Sequence, residues 1–377
     1  VGFGSGALED LVTLQAEPVF GGFYAGKRVF LTGHTGFKGG WLALWLHRLG
    51  AVVHGYALNP PTEPSLFDSA GISAALATDN RGDLADLAGL KAALSNASPE
   101  VIFHLAAQPL VRAGYRDPLG TLATNVMGTA HLLEAVRGLH TVRAVVLITT
   151  DKVYANSEWP YPYREIDRLG GRDPYSASKA GAEIVAASYR ASFFTRKTGH
   201  LAAVATARAG NVIGGGDWAP ERLVPDCLSA FQKNEPVRLR FPRAVRPWQH
   251  VLEPLTGYLQ LARRLFAPDG GDFARAWNFG PDAAACDTVG EVAKALARLW
   301  GGSARLECAC STDNPSEATS LRLDSSVARA ELGWKPLWSL EEALTQTVEW
   351  HRAWTNGADM FARSLAQIVA YESAALS

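Results

Sequence analysis

The sequence predicts an α/β protein, a doubly wound parallel sheet with a smaller, loop-rich lobe toward the C-terminus, on three observations. Strand-like runs at 28–32, 52–58, 77–82, 101–106, 144–150 and 201–208 are each followed by a helical pattern, the alternation expected of parallel strands covered by helices on both faces. The first run passes into Gly33, Gly36 and Gly39 at the spacing G-x-x-G-x-x-G, just ahead of the helix-like run 40–49. After Gly210 the character changes to GNVIGGGDW, scattered prolines and the basic run RLRFPRAVRPWQH.

The second observation marks the first βα turn as an anion site. A strand that turns through glycines into a helix aims free N–H groups and the positive end of the helix dipole at one point, which suits a pyrophosphate. Gly33 serves the tight turn, Gly36 lets backbone approach phosphate, and Gly39 allows close helix–strand packing. Together with the strand count this is a Rossmann-type domain. Residues 1–26 read as an N-terminal arm, 27–209 as the dinucleotide-binding domain with 247–281 returning to it, and 210–246 with 282–377 as the substrate lobe. Two helix starts are legible at Asp117-Pro118 and Asp173-Pro174, where an acceptor precedes a proline that needs no N–H partner. Near the end, Ser339-Leu340-Glu341-Glu342 fits a capping box.

Composition narrows the function classes. In 377 residues, 47% hydrophobic and 19% charged with a formal charge of −1, there is ample core and no basic field for nucleic acid. A membrane span would need a run of about 18 apolar residues, and the start lacks the form of a secretory signal, so a cytoplasmic enzyme is expected. Cys227, Cys286, Cys308 and Cys310 are too irregular for a disulfide framework. Cys308-x-Cys310 is either a pair of free thiols or a metal half-site, and no metal is expected.

The chemistry-bearing groups follow the fifth run. Tyr175 and Lys179 lie one turn apart on one helix face, so the ammonium, with a cationic nicotinamide nearby, is expected to lower the phenol pKa from about 10. Such a phenol can take a proton from a sugar hydroxyl during its oxidation. Thr150, at the carboxyl end of its strand, where open α/β sheets place their ligands, is expected to bond the same hydroxyl. Asp151 and Lys152 are either a second acid/base pair, needed only if water is also removed, or an exposed ion pair. Asp83 either bonds an adenine or belongs to a surface turn, and His104 is either packed or a ligand. Arg246, Arg222 and Arg112 are the candidates for a diphosphate clamp, since guanidinium forks match phosphate. Trp218, Phe241 and Trp248 either stack on a base or pack in the core.

Taken together, the strings TGHTGFKGGWLALWL, HLAAQPLVR, TNVMGT, TTDKVY, DPYSASKA, ARAGNVIGGGDW and RPWQHVLEPL resemble the extended short-chain dehydrogenase/reductase family, and within it the nucleotide-sugar 4,6-dehydratases, over nearly all of residues 27–355. The resemblance implies NAD as cofactor, bound by Gly33, Thr35, Gly36, Phe37, Lys38, Gly39, Asp83, Leu84, Leu105, Ala106, Ala107, Thr124, Tyr175 and Lys179. It implies CDP-D-glucose as substrate, bound by Gln108, Arg112, Asn211, Arg222, Arg246 and Asn278, and CDP-4-keto-6-deoxy-D-glucose as product, on the way to the dideoxyhexoses of bacterial surface polysaccharide. On this reading Tyr175, with Lys179 and Thr150, serves the oxidation at C4, and Asp151 and Lys152 serve the loss of water across C5 and C6. It also implies a homodimer or homotetramer joined through the helical stretches 119–139 and 175–195. A 4-epimerase is the nearest rival, with no use for Asp151-Lys152. Two features depart from the family pattern. Lys152 stands where related dTDP-glucose enzymes have Glu, and a lysine acts as base only if its pKa falls below about 10.4. The acidic residue usually found about 20 positions past the glycines is missing from 52–58, so NAD is expected to be held loosely.

Overall fold

The computed structural model describes residues 19–376 apart from 240, 283–285, 303 and 309–320. Most of the expected arm, 1–18, lies outside the described residues, as does Cys310. Residues 19–26 do not stand off as an arm: Tyr24 is fully buried and its hydroxyl donates to the Leu259 carbonyl at 2.7 Å. Cys227 and Cys286 are free thiols.

The chain runs through β1 (Arg28–Thr32), α1 (Phe37–Arg48), β2 (Val52–Ala57), β3 (Thr78–Arg81), α2 (Leu87–Ala97), β4 (Val101–His104), α3 (Val111–Arg116) and α4 (Pro118–Leu122). A π-helical turn, Ala123–Met127, then leads into α5 (Gly128–Val136), followed by β5 (Ala144–Ile148), α6 (Pro174–Phe193) and β6 (Ala203–Arg208). Beyond it come β7 (Val212–Ile213), α7 (Leu223–Gln232), β8 (Pro236–Leu239), β9 (Val245–Pro247), β10 (Gln249–His250), α8 (Leu252–Phe266) and β11 (Ala276–Asn278). The last elements are β12 (Cys286–Thr288), α9 (Val289–Trp300), β13 (Arg305–Cys308), α10 (Leu340–Thr355) and α11 (Met360–Leu376).

Seven of the strands form one sheet in the order β11-β6-β5-β4-β1-β2-β3, with every pairing parallel. The doubly wound Rossmann-type sheet expected from the strand-helix alternation is therefore present. Its interior strand β5, AVVLI, is buried along its whole length, as a strand covered on both faces must be. The order reverses between β1 and β4, and a crevice opens at the carboxyl ends of strands at such a point. Three short ladders stand outside the sheet: β7 with β10, β9 with β12, and β8 with β13.

One face packs α1 and α8 and is closed by α10 and α11, around the fully buried Trp41, Trp45, Trp277, Trp334 and Trp350. The other face packs α2, α5 and α6 through Leu90, Leu94, Leu132, Leu133 and Ala186. A third cluster joins α7, α9 and α10 through Phe231, Leu296 and Val348. Truncating one such tryptophan to alanine costs about 3–5 kcal/mol.

Local rules account for the helix starts. Asp117 accepts from Gly120 N at 2.9 Å and Asp173 from Ser176 N at 3.0 Å, each beside a proline in the first turn. The capping box forms only by half: Ser339 Oγ accepts from Glu342 N at 3.2 Å, while the Glu342 carboxylate accepts from Gln346 Nε2 one turn on. Four strands stop short of their sequence limits, two of them, β4 and β5, by two residues. Leu105, Ala106, Thr149 and Thr150 leave the ladder because the chain turns there to form the wall of a cavity.

Candidate active site

The glycine turn is closed against the end of β4. Gly33 takes φ +77°, and a Cβ on it would lie 2.6 Å from Ala106 N; a Cβ on Gly39 would lie 2.1 Å from the Gly33 carbonyl oxygen. The first turn of α1 is capped by Gly36 with no side chain in the way and no acidic residue behind it. It faces a cavity of about 710 Å³ that runs from the glycine turn past the ends of β4 and β5 to β8 and β9. Gly33, Thr35, Gly36, Phe37, Lys38 and Gly39 line it. Across from them stand Asp83, Leu84, Leu105, Ala106, Ala107 and Thr124. The Asp83 carboxylate accepts from Ala85 N at 2.9 Å, so the turn is self-bonded as well as on the wall.

Thr150, Asp151, Lys152, Tyr175 and Lys179 meet on the same wall. Thr150 stands close enough to the Tyr175 hydroxyl to favour its ionised form, and its own hydroxyl donates to Asp151 Oδ1 at 2.9 Å. Asp151 is 2% exposed, which excludes an exposed ion pair, and its Oδ2 is buried with no hydrogen-bond partner among the described residues. Lys179 Nζ donates to the Ile148 carbonyl at 3.1 Å.

The lowered tyrosine pKa expected from the sequence is not found in the protein alone. Burial pushes Tyr175 up to about 12; the Thr150 hydrogen bond and the Arg222 charge oppose this, while the Asp151 and Asp173 charges add to it. A phenolate there loses its hydration before anything replaces it. Burial lowers Lys179 to about 8, against the pull of Glu183. Burial also lowers Lys38 to about 7, helped by the Arg222 and Lys179 charges and opposed by Asp151. Lys38 Nζ donates to the Tyr258 hydroxyl at 3.4 Å.

The three candidate arginines line the far part of the cavity together with Asn211. Arg222 is bound to Asp217 at 2.9 Å, and Arg112 pairs with Glu221 at 3.4 Å. Arg246 sits on β9, 8% exposed, with Nη1 donating to the Val245 carbonyl at 3.0 Å.

Two expected substrate contacts are corrected. Asn278 is fully buried away from the cavity, its amide donating to the Tyr163 and Asp324 carbonyls and accepting from Tyr154 Oη. It belongs to the end of β11, where both amide hydrogens and the amide oxygen already have protein partners. Gln108 is also off the cavity wall: its Nε2 donates to Thr121 Oγ1 at 2.9 Å and its Oε1 accepts from Leu110 N. His104 is a packed histidine, bonded to Thr32 Oγ1 at 2.8 Å and held to about 3 by burial, with the Lys179 charge assisting.

A family model described as GDP-mannose 4,6 dehydratase matches residues 30–347. The chain belongs to that family. Its sequence is 49% identical over 354 residues to CDP-glucose 4,6-dehydratase of Salmonella typhimurium, covering 93% of this chain and 98% of the relative. It is 30% identical over 280 residues to dTDP-glucose 4,6-dehydratase of Streptomyces griseus, covering 73% and 78%. In fold it resembles UDP-glucose-4-epimerase of Stenotrophomonas maltophila, solved with NAD and formylated UDP-arabinopyranose, at TM-score 0.74 and 21% identity over 88% of this chain and all of that one. The resemblance to extended short-chain dehydrogenase/reductases read from the motifs therefore holds.

In this member of the GDP-mannose 4,6-dehydratase family the wall includes residues the motifs did not mark. Leu58, Asn59, Thr62 and Ser65 line it just past β2, and Val237 and Leu239 line it from β8. The first group could have been found from its place after a parallel strand. The second is less legible, because β8 stands outside the main sheet and pairs with β13, 69 residues further on.

Proposed function

We propose that this protein is a NAD-dependent hydro-lyase that converts CDP-D-glucose to CDP-4-keto-6-deoxy-D-glucose. The observation that carries the reading is the buried, unpartnered Asp151 Oδ2 beside the Thr150–Tyr175 pair. Oxidation at C4 alone, as in an epimerase, has no use for a third proton-transfer group at that spot. The substrate base follows the named activity of the Salmonella relative.

The turn that a Cβ would fill at Gly33 and Gly39 fits the pyrophosphate of NAD, and Asp83, Leu84 and Ala106 fit its adenosine half. Bound there, NAD supplies the acceptor and donor of the electron pair that leaves C4 and returns at C6, so the overall reaction needs no outside oxidant. Tyr175 takes the C4 hydroxyl proton, oriented by Thr150, with the Lys179 ammonium helping the phenolate to form. The resulting ketone acidifies C5. Lys152 removes the C5 proton and gives one back to C5 when the electron pair returns at C6, and Asp151 protonates the C6 hydroxyl as it departs as water. Arg222, Arg246 and Arg112 hold the diphosphate. Residues 27–209 with 247–281 serve the cofactor, and 210–246 with 282–377 the nucleotide sugar.

Two copies pair through α4–α5 and α6, which expose Leu119, Leu122, Met127 and Ile184. No helix of the described residues is long and apolar enough to cross a membrane, and a cytoplasmic location suits an enzyme that draws on NAD. Incubation with NAD and each nucleotide-glucose in turn tests the reading. The expected product is a 4-keto-6-deoxy sugar, formed fastest from CDP-glucose; a galactose epimer, or a faster rate with another nucleotide, overturns it.

A further inference from the structure

Three consecutive residues at the end of β5 grip three successive turns of α6. The Ile148 carbonyl accepts from Lys179 Nζ at 3.1 Å, Thr149 Oγ1 donates to Glu183 Oε1 at 2.6 Å, and Thr150 stands beside the Tyr175 hydroxyl. Tyr175, Lys179 and Glu183 are each four residues apart, so they form one stripe along the helix. Glu183 is 4% exposed and nothing in the proposed chemistry uses it. Yet both its oxygens are fully engaged: Arg208 Nε and Nη2 donate to them at 2.9 and 2.8 Å, and Thr206 Oγ1 at 2.6 Å. Arg208 is held in turn by Tyr154 Oη at 2.8 Å and the Glu165 carbonyl at 3.2 Å.

A buried ion pair of this kind is poor value for stability, since apolar side chains of equal volume do as well or better. It does provide a fixed position and a fixed charge. We propose that Glu183 is a positioning residue for the Tyr175–Lys179 pair, fastening α6 to β5 and β6 in the register that places the phenol at Thr150 and keeping Lys179 an ammonium. This rests on the dehydratase reading of the site. The charged groups facing Lys179 from neighbouring elements are few. Lys38 on α1 is a like charge, His104 on β4 is buried and neutral, Asp151 past β5 shares the cavity wall, and Arg208 on β6 is paired with Glu183; Glu183, on α6 itself, is the negative charge that opposes the loss of the lysine proton. The oxygens that Glu183 presents are fixed by β5 and β6, so its distance to Lys179 cannot drift without breaking hydrogen bonds to two strands.

The test compares wild type, Glu183→Gln, Glu183→Asp and Thr149→Val as NAD-bound full chains, with kcat and KM for CDP-glucose measured across pH. Glu183→Gln is expected to lower kcat by more than about tenfold with KM within about threefold, and to move the alkaline limb of kcat to lower pH by about one unit. Glu183→Asp restores the limb. Thr149→Val keeps the charge and removes one strut, so kcat falls several-fold with the limb in place. An unmoved limb in folded Glu183→Gln, or wild-type kcat in Thr149→Val, overturns the proposal. Should circular dichroism show Glu183→Gln unfolded, Thr149→Val decides by its kcat. If wild type does not turn over CDP-glucose, the substrate reading fails instead, and the series is run on the nucleotide-glucose that it does convert.

Discussion

Asp151 and Gly210 face each other so closely that a Cβ on residue 210 would lie 2.1 Å from Asp151 Oδ2. The glycine at the start of the GNVIGGGDW segment is there to leave room for a carboxylate on another strand end. Gly210→Ala must push Asp151 aside, and a displacement of about 1 Å at a reacting group costs on the order of 10²-fold in rate. The expected outcome is a folded protein, with unchanged NAD affinity by calorimetry and turnover lower by about that factor.

Asp151→Asn separates the two halves of the proposed reaction. Oxidation at C4 needs Tyr175 and Thr150, whereas water loss needs the acid. Rapid mixing with CDP-glucose is expected to show reduced cofactor accumulating, by its absorbance, while product formation slows. A normal product rate with no accumulation removes Asp151 from the acid role.

For Tyr175→Phe, turnover is expected to fall by roughly 10²–10⁴-fold with the melting temperature little changed. On the proposed mechanism the alkaline side of the wild-type pH–rate profile reports Lys179, which burial lowers to about 8. Activity should therefore decline as pH rises through that value and the ammonium is lost.

Leu58 stands immediately past β2, on the cavity wall, where the ribose-binding carboxylate of a dinucleotide site would be. A charged hydrogen bond there is worth about 1.5–3 kcal/mol. Leu58→Asp is expected to tighten NAD by roughly tenfold or more in calorimetric titration; an unchanged affinity would show that the ribose lies elsewhere.

Glu253, at the start of α8, ties the C-terminal helices to the sheet. Its carboxylate accepts from Leu337 N, Trp338 N at 2.7 Å and Tyr371 Oη at 2.6 Å. Burial raises it to about 6 against those hydrogen bonds. A carboxyl whose pKa is higher folded than unfolded binds more protons when folded, so stability falls as pH rises between the two values. Relative to Glu253→Gln, wild type should lose up to roughly 2 kcal/mol from pH ~4.5 to ~6, read from paired melting curves.

The sequence made most of the cofactor side legible because its signals are local. Gly33, Gly36 and Gly39 sit within one turn of chain, and Tyr175 and Lys179 within one turn of helix, so spacing alone brings them together. Strand ends were less legible, since Thr149 and Thr150 are as apolar-compatible as the strand before them and leave the ladder only because the cavity is there. Asn278 and Gln108 were misplaced for a related reason. An amide's role depends on which partners reach it first, and for Asn278 these come from Tyr163 and Asp324, far along the chain.

What the sequence determined by itself is the doubly wound sheet, the glycine turn and the order of the candidate proton-transferring groups, because each follows from periodicity and short-range geometry. What only the tertiary structure decided is the state of those groups. The raised phenol of Tyr175, the lowered ammoniums of Lys179 and Lys38, the orphaned oxygen of Asp151 and the carboxylate of Glu183 behind them depend on which distant segments exclude water from the same small volume. Desolvation is a property of that enclosure, and no stretch of chain carries it alone.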